Sequence, residues 1–89
     1  MLRNAKIDSN HASIVKSLRS IPGVSVFSTA QLKKFCDIAV GFRGKNYLFE
    51  IKKDVKSKLT DGEKSFQDKW TGQVDTVTCV EDILRILKI

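Results

Sequence analysis

Three residues in this chain have the types and spacing for chemistry: Asp37, Glu50 and Lys52. They lie in the stretch CDIAVGFRGKNYLFEIKKD, where Ile38, Val40, Tyr47, Leu48, Phe49 and Ile51 call for a core. Gly44, within RGK, breaks the stretch into two strands and signals a hairpin. A turn at Arg43 and Gly44 sets Asp37 opposite Glu50; a turn at Gly44 and Lys45 sets it opposite Lys52. Either way, the period of two puts all three charges on one face, beside the small residues Ala39 and Gly41. Directly opposed side chains stand about 5 Å apart, so two carboxylates there repel. A divalent cation between them removes the objection, because Mg²⁺ takes one or two carboxylates and keeps several waters. The Ile51 carbonyl offers a further oxygen. Lys52 would then stand beside a coordinated water and a phosphate, where it can orient the water and offset negative charge. The expected chemistry is metal-dependent hydrolysis of a phosphodiester.

An acid two residues before a lysine is not a specific signal. Asp54 and Lys56 repeat it, and a cross-strand ion pair at a sheet edge accounts for it equally well. Glu50 and Lys52 differ because they end a buried-type strand that an acid faces at hairpin distance.

The elements that must position these residues follow from periodicity. Ser9 or Asn10 can cap a first helix with Ile14, Val15, Leu18 and Ile21 on its apolar face, stopped near Pro22 and Gly23. VSVFS alternates as a strand from Val24 to Ser28, and TAQLKKF reads as an irregular loop. The hairpin strands cover Asp37 to Phe42 and Asn46 to Lys53. TDGE is a capping box, with Thr60 as N-cap and Glu63 reaching back, for a helix ending near Trp70 with Gly72 at its C′ position. VDTVTCV alternates as a fourth strand, and EDILRILKI closes the chain as an amphipathic helix. The fold class is α/β: a mixed central sheet of about four strands flanked by helices, in the order α-β-β-β-α-β-α.

Eighty-nine residues, without repeats or linker-like tracts, make a single domain over 1–89. No run is long enough to cross a membrane, and the start lacks an apolar block followed by small residues, so a cytoplasmic protein is expected. Cys36 and Cys79 lack metal-ligand spacing and read as buried free thiols. The formal net charge of +6 favours a polyanionic partner. Neither a Ser-His-Asp set nor a phosphate-cradling glycine loop is present, and no organic cofactor is implied.

Asp37 followed, after a hairpin, by Glu50-Ile51-Lys52, between an opening helix and a later one, resembles the PD-(D/E)XK nuclease superfamily. More closely, the chain resembles the small stand-alone VRR-NUC-type nucleases of phages and bacteria. The similarity runs through IDSNHASIVKSLRSIPGVSV, DIAVGFRGKNYLFEIK, KLTDGEKSFQDKW and VTCVEDILRIL, nearly the whole chain. It implies a restriction-endonuclease-like core and Mg²⁺- or Mn²⁺-dependent hydrolysis of DNA. Asp37 and Glu50 would be metal ligands with the Ile51 carbonyl, and Lys52 the catalytic lysine. Its size resembles that of Holliday junction resolvases, which implies a homodimer acting on branched or junction DNA in a bacterial or phage-infected cell. Dimerisation would also enlarge a DNA contact surface that is small for one such chain.

Departures from the pattern bear on activity. Cys36 stands where many relatives have proline. Ser13 stands where the opening helix often carries a glutamate; its hydroxyl can bond a coordinated water but adds no charge. Lys64 aligns with a glutamine of relatives, and Gln67 follows one turn later. The alternative is therefore a catalytically weak or inactive nucleic-acid-binding module on the same fold. Lys53, Lys56, Lys58, Lys64 and Lys69 can line a DNA path or simply keep the surface solvated. Trp70 reads as a core residue and His11, the sole histidine, as an exposed helix residue.

Overall fold

The computed structural model describes residues 9–89; the first eight, on which the expectation of no leader segment rests, lie outside the described residues. The elements are α1 (His11–Arg19), β1 (Val24–Ser28), β2 (Ile38–Phe42), β3 (Lys45–Ile51), α2 (Asp61–Lys69), β4 (Asp75–Val77) and α3 (Val80–Leu87). The expected order α-β-β-β-α-β-α is observed. The four strands form one sheet in sequence order, β1, β2 and β3 antiparallel and β4 parallel to β3. Mixed pairing follows from the connections: a nine-residue loop joins β1 to β2 and a two-residue turn joins β2 to β3, both antiparallel, whereas the parallel β3–β4 step requires a crossover, which α2 supplies.

The hairpin turn is Arg43-Gly44. Both residues have positive φ, 51° and 76°, the requirement of a type I′ turn whose twist matches the flanking strands. This selects the first of the two registers, pairing Ile38 with Phe49, Val40 with Tyr47 and Phe42 with Lys45. The core-facing residues Ile38, Val40, Phe42, Phe49, Ile51 and Val77 pack against Ile14, Val15 and Leu18 of α1 and Ile83 and Leu87 of α3. The opposite face carries Glu50, whose parallel partner is Thr76, and receives α2. That helix buries none of its residues fully. It is held through Gln67 Nε2, which donates to Thr76 Oγ1 at 3.0 Å, and through rings of Phe35, Phe66 and Trp70.

Several details differ from expectation. β2 begins at Ile38 rather than Asp37, because the Asp37 amide bonds the Phe49 carbonyl and its side chain replaces a ladder acceptor. β3 ends at Ile51, and β4 spans three residues only. Gly72 is not a left-handed cap: α2 ends in extended backbone at Trp70, and only Gly23 and Gly44 among the described glycines have positive φ. A Cβ on Gly72 would come within 3.0 Å of the Trp70 indole nitrogen, so the glycine makes room for the ring. Trp70 is 41% exposed rather than core: it stands at the C-cap of α2, with its ring against Phe35 and Phe66 and outside the main core cluster. His11 is buried, not exposed; its Nε2 lies 3.1 Å from Ser28 Oγ between α1 and β1. Cys36 is buried, whereas Cys79 is half-buried at the N-cap of α3.

Candidate metal centre

The site is built from the hairpin outward. Asp37, one residue before β2, accepts the Ile51 N–H on its Oδ2 at 2.7 Å, which ties its carboxylate to β3. Glu50, on β3, is 1% exposed. Lys52 follows at the strand end, buried along its stem, and its Nζ donates to Glu63 Oε1 at 3.0 Å. Its amide bonds the Val77 carbonyl, which locks the strand end against β4.

Glu63 completes the group. The sequence gives it a local role, and the structure preserves that role: its Oε1 accepts the Thr60 N–H at 2.7 Å, and the Thr60 hydroxyl accepts the Glu63 N–H at 3.2 Å. The same carboxylate also reaches the sheet. One oxygen each from Asp37, Glu50 and Glu63 lie within 4.8 Å of one another. The capping box was the available signal, since it turns the N3 carboxylate back towards the start of the helix. Nothing local states that the start of α2 sits over Glu50.

The electrostatics of this cluster are unfavourable without a cation. Burial, then the hydrogen bond and charge of Asp37, then Glu63, push the Glu50 carboxyl from 4.5 up to about 10. Burial pushes Glu63 upward too, but the Thr60 N–H and the Lys52 ammonium outweigh it and hold that carboxyl below the usual range. Glu50 Oε1 is buried and has no hydrogen-bond partner. Buried polar atoms are normally paired, so an orphaned carboxylate oxygen facing two other acids calls for a missing partner. Ionising Glu50 as well would leave three carboxylates against the Lys52 ammonium, an excess of negative charge that a divalent cation offsets. The all-oxygen donor set suits a hard cation such as Mg²⁺ or Mn²⁺. Oxygens on opposite sides of Mg²⁺ stand about 4.2 Å apart, so the observed spread closes with a shift of roughly half an ångström.

Not every expected site residue converges here. Ser13 Oγ donates to the Asn10 carbonyl at 3.1 Å and lines a hollow between α1 and the start of α3 with Thr78 and Glu81. From α1 it is Asn10 that approaches the strand end: its Nδ2 donates to the Lys52 carbonyl at 2.9 Å and the Thr78 carbonyl at 2.7 Å. Gln67 is spent on Thr76, beside Glu50 in the sheet. Ile51 takes part through its amide and its core side chain. Lys53, Lys56, Lys58, Lys64 and Lys69 are all exposed, along the loop after β3 and on α2. The Cys36 thiol, fully buried and pushed up by that burial, is inert beside Asp37.

Fold and site together define a small mixed α/β domain with a three-carboxylate, one-lysine centre at the end of its hairpin. Family models, curated proteins and solved structures yield no match to this chain. Among the described residues, no helix is long and apolar enough to cross a membrane.

Proposed function

We propose that the protein is a Mg²⁺- or Mn²⁺-dependent DNA endonuclease of the PD-(D/E)XK type. The observation that carries this reading is the orphaned, buried Glu50 Oε1 inside the Asp37, Glu50 and Glu63 cluster, with Lys52 at its edge. Asp37, Glu50 and Glu63 would hold the cation, with the Ile51 carbonyl as a further oxygen. When bound, such a cation supplies Lewis acidity towards a phosphodiester and lowers the pKa of a neighbouring water.

The chain's own groups do the rest. The Ile51 N–H fixes the Asp37 carboxylate, and the Thr60 cap fixes Glu63. Lys52 has three donor hydrogens; one bonds Glu63, which aims the ammonium into the cluster, and another can meet a phosphate oxygen. The exposed lysines after β3 and on α2 offer phosphate contacts on the approach to the site. Glu63 also answers the concern raised by Ser13, because it supplies a third carboxylate from a different helix. That weakens the alternative of an inactive binding module. Action as a homodimer on branched or junction DNA belongs to the same proposal; it rests on the resemblance to small junction resolvases, with the small size of the chain favouring a dimer.

The test is cleavage of labelled duplex, flap and four-way-junction DNA with Mg²⁺, Mn²⁺ or EDTA. Wild type is compared with Asp37→Ala, Lys52→Ala and Glu63→Gln. Metal-dependent cutting by wild type, lost in the first two variants and reduced in the third, is the expected result. A wild-type protein that binds these DNAs and cuts none of them with either metal refutes the nuclease reading.

A further inference from the structure

Beside the carboxylates, α2 carries a groove of about 220 Å³ that the metal centre does not use. Gly62, Ser65, Phe66 and Lys69, at helical spacings of three and four, line it with Trp70 and with Lys34 from the loop before β2. Its aromatic wall is continuous. Phe66 and Trp70 have ring centroids 5.3 Å apart, and Phe35 meets both edge-on at 5.4 and 5.9 Å.

Three features distinguish this groove from an ordinary satellite core. First, the indole is anchored by its edge and leaves surface to solvent. Trp70 Nε1 donates to the Gln73 carbonyl at 3.2 Å, Gly72 clears space for the ring, and the residue remains 41% exposed. Second, Gly62 is required neither by a turn nor by packing. Its φ is not positive, and a Cβ there would meet no atom within 4 Å. Glycine weakens a helix relative to alanine; here it leaves the groove unfilled. Third, an aromatic floor is bordered by two cations, Lys34 and Lys69, on a chain of net charge +6. Aromatic rings flanked by lysines match a nucleobase with its phosphates, since every base has a face to stack and every linkage a charge. A base paired within duplex cannot present its face in this way.

We propose that this groove receives an unpaired base of single-stranded DNA, stacked on Phe66 and Trp70, with neighbouring phosphates on Lys34 and Lys69. The substrate is then a strand at a flap, fork or branch point rather than continuous duplex. Trp70 lies seven residues along α2 from Glu63, about 10 Å of helix, or roughly three base steps of a strand. The stacked base thus sits a few nucleotides from the phosphate to be cut. The proposal rests on the nuclease reading for the identity of that phosphate, but it is tested by binding alone.

Trp70 is the sole tryptophan and serves as the probe. In EDTA, the protein is titrated with short oligothymidylate and with a hairpin duplex of equal length, following indole fluorescence and the anisotropy of labelled DNA. The single strand is expected to quench Trp70 and the duplex to leave it bright. Gly62→Leu, which fills the groove from a helical position, is expected to weaken single-strand binding about tenfold with duplex binding and melting temperature maintained. Equal quenching by both DNAs, no quenching by either, or single-strand affinity unchanged in Gly62→Leu overturns the proposal. Selective quenching in a protein that cuts no DNA supports the groove while sinking the nuclease reading, so the two failures are distinguishable.

Discussion

Removing the charge of Glu50 should stabilise the metal-free protein, and increasingly so as pH rises. The Glu50 carboxyl is held at about 10 in the fold, against 4.5 when exposed. Between those values the folded chain binds a proton that the unfolded chain has released. Stability from this group is therefore fully present below pH 4.5 and lost progressively as pH rises towards 10. The slope is at most about 1.4 kcal/mol per pH unit. Because Glu50 is 1% exposed, solvent screening scarcely reduces it. From pH 6 to pH 8 the metal-free protein should lose about 3 kcal/mol through this residue alone. That corresponds to a fall in Tm of roughly 12–24 °C for a domain of this size. Urea melts in EDTA at the two pH values, for wild type and Glu50→Gln, read the effect of this carboxyl together with that of its neighbours Asp37 and Glu63, while titrations elsewhere in the chain cancel. The variant should be nearly indifferent to pH where wild type is not. Saturating Mn²⁺ should flatten the wild-type dependence, since the cation binds the ionised carboxylate and stabilises the fold by mass action. Parallel pH profiles for the two proteins in EDTA would show that Glu50 is ionised and solvated, and the argument for a cation at this site would collapse.

Lys52→Met should lower the cleavage rate by about 10²- to 10³-fold, the usual effect of deleting one electrostatic contact to the transition state, with DNA affinity in EDTA little changed; a fall in affinity matching the fall in rate would reassign Lys52 to binding. Asn10→Ala removes both bonds that join the start of α1 to the Lys52 and Thr78 carbonyls and should cost about 2 kcal/mol in chemical denaturation; a neutral result would mean that water replaces the amide. Thr60→Ala should cost about 1 kcal/mol and weaken Mn²⁺ binding measured by calorimetry, whereas Thr60→Ser keeps both, because the cap holds Glu63 in place.

What the sequence by itself determined are the features that neighbouring residues decide. Gly44 marks the hairpin, and under either two-residue turn the period of two places Glu50 and Lys52 on the face opposite Phe49 and Ile51; the structure chooses Arg43-Gly44. Thr60 and Glu63 form their capping box within one helical turn, and α1 and α3 show their apolar stripes at helical spacing. These are short-range interactions, so their signals lie within a few residues of one another. Only the tertiary structure decided the second use of residues already occupied locally. Glu63 becomes the third carboxylate because the crossover from β3 to β4 lays the start of α2 over Glu50, a contact across thirteen residues of chain with no local signature. Asn10 turns from cap to clamp because the parallel strand ends bring two carbonyls within its reach. Trp70 stays 41% exposed because its ring packs against Phe35 and Phe66 outside the main core cluster. An amphipathic pattern says which face of a helix seeks cover; how much of that face is covered depends on what the rest of the chain lays against it.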